Sequence, residues 1–257
     1  MIIGIGVADE ATKVMASIRN VSDRVPVRCY CPPGTMLSEE IEAHCSTSPG
    51  RDLITDLIEG RLDGAVRGTL PARETLGELR RQAGVPFLER IALLETAGGK
   101  KFFLAPVGVD EGWTVDQKCD LIRKGQRIAS AFGIPGKTGV LSGGRLGDIG
   151  RHPAVDRSLA DAELVARLTG AQHFEILIED AIKECSLIIA PDGISGNLIF
   201  RTLVLLGGGK GHGAPVVNID KIFVDTSRAS PDYSNALILA ASLTVSSENK
   251  FSGQTYG

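Results

Sequence analysis

Long blocks of one charge are missing from this 257-residue sequence: 28 basic and 31 acidic residues are spread along it, for a formal net charge of −3. Such a distribution offers no extended basic face to a nucleic acid, so any anionic ligand must be held by a local constellation. Long apolar runs are missing too. The longest, ALILAASLTV, is about half of the ~20 residues that a bilayer-spanning helix needs. The amino terminus MIIGIGVADEATK has no basic region followed by an apolar segment. These absences point to a cytoplasmic protein with neither a membrane nor a nucleic acid as partner.

Paired cysteine motifs are also lacking. The five cysteines stand at 29, 31, 45, 119 and 185, and Cys29-Tyr30-Cys31 has one intervening residue where zinc knuckles and redox pairs have two. A site built from Cys29, Cys31, His44 and Cys45 is conceivable, but strand cysteines usually serve as small buried apolar residues, and no metal is expected. The glycine-bearing turn Pro191 to Asn197 lacks the Lys-Ser/Thr ending of a phosphate-binding Walker loop and the full G-x-G-x-x-G of a dinucleotide fold, so it supports neither nucleotide reading. The Asp-x-His-x-x-Gly pattern of cobalamin binding is absent, and no internal repeat or low-complexity stretch occurs.

What is present is the balance of an ordinary globular protein, 43% apolar and 23% charged, with alternating strand-like and helix-like segments that imply a largely parallel α/β architecture. IIGIGV reads as a buried strand, ATKVMASIRNV as a helix and VPVRCYC as a second strand. SEEIEAHC and RDLITDLIEGRL read as amphipathic helices, followed by the strand LDGAVRG and the helix PARETLGELRRQAG, with Pro71 in its first turn and Gly84 at its stop. FLERIALLET and KKFFLAPVGV form a hairpin about Ala97-Gly98-Gly99. Thr114 caps a long helix that ends at Gly133 and leads into a second lobe, with Trp113 packing the boundary. KTGVLSGG and SLIIAP are further strands, SLADAELVARLTG is a helix, and FEILIEDAIKEC runs as strand and then helix.

Three glycine-bearing stretches lie where ligands are usually bound in such sheets. GGRLGDIGRHP follows the carboxyl end of a strand and brings Ser142, Gly143, Gly144, Arg145, Arg151 and His152 to a strand exit. Pro191 to Asn197 opens the helix NLIFRTLVLLG, where Gly193, Ser195, Gly196 and Asn197 and free amides can meet an anion. Gly207 to Gly213 holds Lys210 and His212 and either wraps a phosphate or simply ends that helix. His44 and His173 are read as solvated or loop-capping residues.

The order GNLIFRTLVLLGGG, GHGAPVVNIDKIFVDTSR resembles the carboxyl-terminal signature of phosphate acetyltransferases and phosphate butyryltransferases. LDGAVRGTLPARETLGELR and AFGIPGKTGVLSGG resemble their upstream segments, so the likeness runs over most of the chain. LSGGRLGDIGRHPAVD, APDGISGNLIFRTLVLLGGGKGHGAPVVNID and VDTSRA are more similar to the methanogenesis-marker, MtxX-type branch of that superfamily, labelled methyltransferases.

The resemblance implies an α/β fold of two lobes, like isocitrate and isopropylmalate dehydrogenase, with a largely parallel sheet in lobe one and a cleft between the lobes. Residues 1–112 and 217–257 would form lobe one, and 113–216 a second, dimerising lobe of a homodimer. It implies a transferase of methanogenic archaea whose cleft takes a small phosphorylated or coenzyme A-type ligand, with coenzyme A as substrate and no tightly bound cofactor. By the same resemblance Ser227 and Arg228 are catalytic, and either Asp232 or Tyr233 takes the family's aspartate position. This chain has SRASPDY where the acyltransferases have a glycine after the arginine and a longer spacing to that aspartate. The other readings are methyl transfer on a tetrahydropterin or corrinoid carrier, and a non-catalytic ligand sensor or assembly factor.

Overall fold

The computed structural model describes residues 1–252 and divides the chain into two compact units, Met1–Leu88 with His212–Gly257, and Glu89–Gly211. The first unit opens with β1 (Ile3–Gly6), α1 (Ala11–Arg19), β2 (Val27–Cys31), β3 (Glu42–Cys45), α2 (Pro49–Ile58), β4 (Gly64–Val66) and α3 (Ala72–Ala83). The chain then builds the second unit from β5 (Ala92–Glu95), β6 (Lys101–Ala105), α4 (Val115–Ala131), β7 (Lys137–Val140), α5 (Pro153–Thr169), β8 (Gln172–His173), α6 (Ile178–Glu184), β9 (Cys185–Ile189), α7 (Gly193–Arg201) and β10 (Lys210–Gly211). It returns to the first unit as β11 (Ala214–Pro215), β12 (Ile222–Asp225) and α8 (Ser234–Ser252).

Six strands form the first sheet in the order β11-β12-β4-β1-β2-β3, parallel throughout except between β11 and β12. β1 is buried at every position, as expected of a parallel strand covered on both faces, and this is why its sequence is a continuous apolar run. The core of the unit gathers Tyr30, Leu53, Ile54, Leu57, Leu79 and Phe223.

The second sheet runs β10-β5-β6-β9-β7-β8; β10, β5 and β6 pair antiparallel and the remaining neighbours parallel. The β5–β6 hairpin is hydrogen-bonded to β9 and β10, so the second compact unit begins at Glu89, ahead of the lobe boundary expected at residue 113. Thr114 caps α4 reciprocally: its hydroxyl accepts the Gln117 amide at 3.2 Å and Gln117 Oε1 accepts the Thr114 amide at 3.3 Å. Among the described residues no helix is long and apolar enough to cross a membrane.

Three sequence expectations are corrected. The segment read as the helix SEEIEAHC is a turn followed by β3, in register with β2 from Arg28↔Glu42 to Cys31↔Cys45. Arg28 Nη2 meets the Glu42 carboxylate at 2.7 Å, and tertiary pairing outweighs the helical preference of the acidic residues. FEILI is not a strand, because Glu175 adopts a left-handed backbone at φ 55° and ends β8 after His173. Trp113 is half exposed and donates its indole N–H to the Val109 carbonyl at 3.0 Å instead of packing.

Candidate functional site

In the first unit, loops after three adjacent parallel strands meet at the carboxyl edge of the sheet. After β4, Gly68 turns the chain at φ 61°, where a side chain would lie 2.0 Å from the Gly6 carbonyl oxygen. Thr69 follows, and its hydroxyl accepts the amides of Ala8 at 2.8 Å and Asp9 at 3.3 Å, which ties the β1 exit to the β4 exit. Arg67 is buried there. Its Nε donates to Asp225 Oδ1 at 2.5 Å, its Nη1 to the Leu70 carbonyl at 2.7 Å and its Nη2 to the Thr226 carbonyl. The Thr226 hydroxyl donates to the Gly68 carbonyl at 3.1 Å, so the β12 exit is fastened to the β4 exit.

Ser227 and Arg228 emerge from this fixed base. The Arg228 side chain is 58% exposed, with Nη1 3.7 Å from Asp9 Oδ2. Its carbonyl accepts from Lys13 Nζ at 3.0 Å. Burial pulls the Lys13 ammonium down, but the Glu10 carboxylate and Tyr233 together hold it above its ordinary pKa. Ser227 Oγ accepts the Ala229 amide at 3.2 Å. Asp232 is exposed and accepts the Ser234 amide at the start of α8. Tyr233, the other candidate for that position, is buried and points its hydroxyl at the Ser227 and Arg228 carbonyls, 3.2 and 3.4 Å away. Burial raises the Tyr233 phenol, and the nearby Lys13 opposes that shift.

The second unit places the other expected residues at its own carboxyl edge, where β7 and β9 run side by side. Ser142 is 1% exposed, and its Oγ lies 2.9 Å from both His173 Nε2 and the Gly144 carbonyl. His173 Nδ1 is 3.2 Å from Glu163 Oε2, so the imidazole bridges that carboxylate and the Ser142 hydroxyl. His173→Ala is expected to cost about 0.5–1.5 kcal/mol, the net contribution of one hydrogen bond, since the Ser142 hydroxyl keeps the Gly144 carbonyl; a urea midpoint equal to wild type would show that the contact contributes nothing.

Gly143 donates its amide to Ser158 Oγ at 2.8 Å, and the Arg145 and Leu146 amides go to Asp148 Oδ2 at 2.8 Å and Glu175 Oε1 at 3.1 Å. Arg151 is exposed and pairs with Asp148 at 2.6 Å. The Arg145 amide first, then Arg151, holds the Asp148 carboxyl below the usual carboxylate range. His152 Nδ1 accepts the Ala154 amide at 3.1 Å and so caps α5.

Several donors of the turn into α7 are already engaged. Asp192 Oδ1 accepts the Ser195 amide at 2.7 Å, and the Gly193 amide donates to the Glu111 carbonyl at 3.0 Å. Asn197 Nδ2 donates to the Val107 carbonyl at 3.0 Å. Side chains at Gly193 and Gly196 would lie 1.6 and 1.8 Å from the carbonyl oxygens of Gly108 and Pro106, so these glycines let the helix pack directly on the loop that follows β6. Next to this turn Lys118 is 5% exposed; desolvation lowers its pKa, against the pull of Asp161 and Asp192.

The Gly207–Gly209 stretch follows a π-helical turn, Thr202–Leu206, and closes it through the Gly209 amide to the Leu203 carbonyl at 3.0 Å. Lys210 enters β10 and faces Glu95 at 3.6 Å, and His212 begins the return to the first unit. Arg67, Lys13, Glu163 and His173 are functional-site neighbours that the sequence reading did not select. The β7–β8 register, with His173 opposite Val140, is what brings His173 to Ser142. Among the described residues no group of three or more His, Cys, Asp or Glu could hold a metal ion; His44 Nε2 instead faces Asp52 at 3.0 Å.

The fold is shared with solved phosphotransacylases. A branched-chain phosphotransacylase from Enterococcus faecalis superposes with a TM-score of 0.70 at 15% identity, covering 95% of this chain and 100% of that one. A phosphotransacetylase from Streptococcus pyogenes gives 0.66 at 14% identity, covering 96% and 94%. At these identities the likeness establishes the architecture alone.

Sequence relatives narrow the class. The "Putative methyltransferase mtx subunit X" of Methanosarcina barkeri is 49% identical over 210 residues, 80% of this chain and 78% of that protein. An uncharacterized methyltransferase of Methanopyrus kandleri is 38% identical over 258 residues, 95% and 99% of the two chains. No family model matches. The chain belongs to the family of these Mtx subunit X proteins, an MtxX-type branch built on the phosphotransacylase fold.

Proposed function

We propose that this protein is a transferase that binds a small phosphorylated or coenzyme A-type ligand, an acyl phosphate among the first to test, at the carboxyl edge of its first sheet. The observation that carries this reading is Arg228. Its backbone is fixed by Lys13 and Tyr233 while its guanidinium stays exposed, with Asp9 no closer than 3.7 Å. A planar fork of donors held in that way suits a phosphate and the charge that develops on a carbonyl oxygen during acyl transfer. Ser227, from the same loop as Arg228, would hydrogen-bond the reacting groups. The names of the phosphotransacylase neighbours support the same ligand class. Turnover of acetyl, propionyl or butyryl phosphate with coenzyme A, compared with an Arg228→Ala control, tests the reading; no product above that control would remove acyl transfer.

Methyl transfer is the second reading, favoured by the names of the relatives. Transfer from a labelled methyl-pterin donor would establish it. A sensor without turnover is the third, favoured by Asp232, whose carboxylate is engaged by the Ser234 amide rather than poised as a base. Phospho-ligand binding by calorimetry without product would distinguish it.

The same reading includes a homodimer formed through the second unit. Ile194, Leu198 and Leu206 are exposed along α7 and its π-helical extension, an apolar face of the kind that marks an association surface. Leu198→Glu is expected to shift the molecular mass measured by light scattering from dimer to monomer; a wild-type protein that is monomeric at micromolar concentration would contradict it.

A further inference from the structure

Three of the five cysteines belong to the edge of the first sheet, and the candidate site uses none of them. Cys29 and Cys31 lie on β2, and Cys45 on the exposed edge strand β3. In the parallel register Cys31 stands directly opposite Cys45, and their Sγ atoms are 2.9 Å apart. All three are free thiols, Cys29 and Cys31 buried and Cys45 exposed. Neighbouring strands are about 4.7–4.9 Å apart, inside the ~4.4–6.8 Å separation of α-carbons that a disulfide spans.

We propose that Cys31 and Cys45 form a reversible dithiol site that a low-molecular-weight disulfide oxidises by thiol–disulfide exchange. The exposed Cys45 thiolate attacks one sulfur of the small disulfide, forms a mixed disulfide and releases one thiolate. Cys31 then gives up its proton, attacks Cys45 Sγ and expels the second thiolate. Two protein thiols are oxidised, the small disulfide is reduced to two thiols, and no other reactant is needed.

The order of these steps follows from burial. Desolvation pushes the Cys31 thiol up to about 11 and Cys29 up to about 12, so neither is a thiolate near neutral pH and Cys45 must begin. Contact with Cys45 Sγ compensates Cys31 for its low thiolate fraction by holding it at the sulfur it must attack. Cys29 faces Ala43 across the strands and stays a bystander. The product ties β3, paired on one side only, covalently to β2.

Peptide mapping of the folded, full-length protein after exposure to oxidised glutathione and alkylation tests the proposal. The expected product is a Cys31–Cys45 cross-link, lighter by two hydrogens per chain and reversed by dithiothreitol. Cys45→Ala, a change at an exposed position, should abolish the cross-link and leave Cys31 unmodified. Cys31→Ala should stop at a glutathione adduct on Cys45. A wild-type protein that keeps that adduct, that cross-links through Cys29, or that remains fully reduced would overturn the proposal.

Discussion

Replacing Arg67 by alanine is expected to destabilise the protein by about 3–5 kcal/mol, the usual consequence of removing one partner from a buried ion pair. Arg67 is 5% exposed and donates to three acceptors on two segments: Leu70 beside it, and Asp225 and Thr226 from the far end of the chain. The alanine variant removes the cation beside the buried Asp225 carboxylate and two backbone carbonyls lose their donor. The pair itself need not be a large net contributor, because both charges were desolvated to make it. A double variant, Arg67→Met with Asp225→Leu, should therefore unfold closer to wild type than either single variant. Urea unfolding of wild type, Arg67→Ala, Arg67→Met, Asp225→Leu and the double variant decides this. Additive losses, or an Arg67→Ala variant within about 0.5 kcal/mol of wild type, a typical surface effect, would show that the pair is not what fastens the two strand exits.

Arg228→Ala has the opposite profile. The side chain is exposed and its nearest acid is at 3.7 Å, so stability should stay within about 0.5 kcal/mol of wild type. If the guanidinium meets charge that develops on the substrate, kcat/KM should fall by about 10²–10³-fold, the range for losing one donor to such charge. Arg228→Lys should restore only part of that loss, since an ammonium cannot present two parallel donors to a phosphate. Assay and calorimetry on the same preparations separate the outcomes. Lost turnover with ligand affinity kept would assign Arg228 to the reaction; lost affinity would assign it to binding; unchanged values for both would remove Arg228 from the site.

Much of the fold was legible because its signals are local. The apolar runs of β1 and β9, the Thr114–Gln117 capping box of α4 and the left-handed Gly84 and Gly133 that end helices each involve residues a few positions apart. Strand β3 was not legible, since its acidic residues favour a helix and only pairing with β2 makes them a strand. The site divides in the same way. Ser227 and Arg228 follow a strand and could be read as a loop at the sheet edge. Tyr233 reaches back to them only through the turn before α8, and His173 reaches Ser142 across 31 residues. The α7 turn looked open to an anion because Asp192 and Gly193 are silent in sequence about their partners; the carboxylate fills the Ser195 amide, and the Glu111 carbonyl fills the Gly193 amide.

The bond between Arg67 and Asp225 joins residues 158 positions apart, with the entire second unit strung between them. During synthesis β4 therefore has no partner on its β12 side until the ribosome has passed residue 225, whereas every strand of the second sheet exists once Gly211 has been made. The unit that begins first is the one that must be completed last, and the Ser227–Arg228 loop, which grows directly from β12, cannot be positioned before that closure.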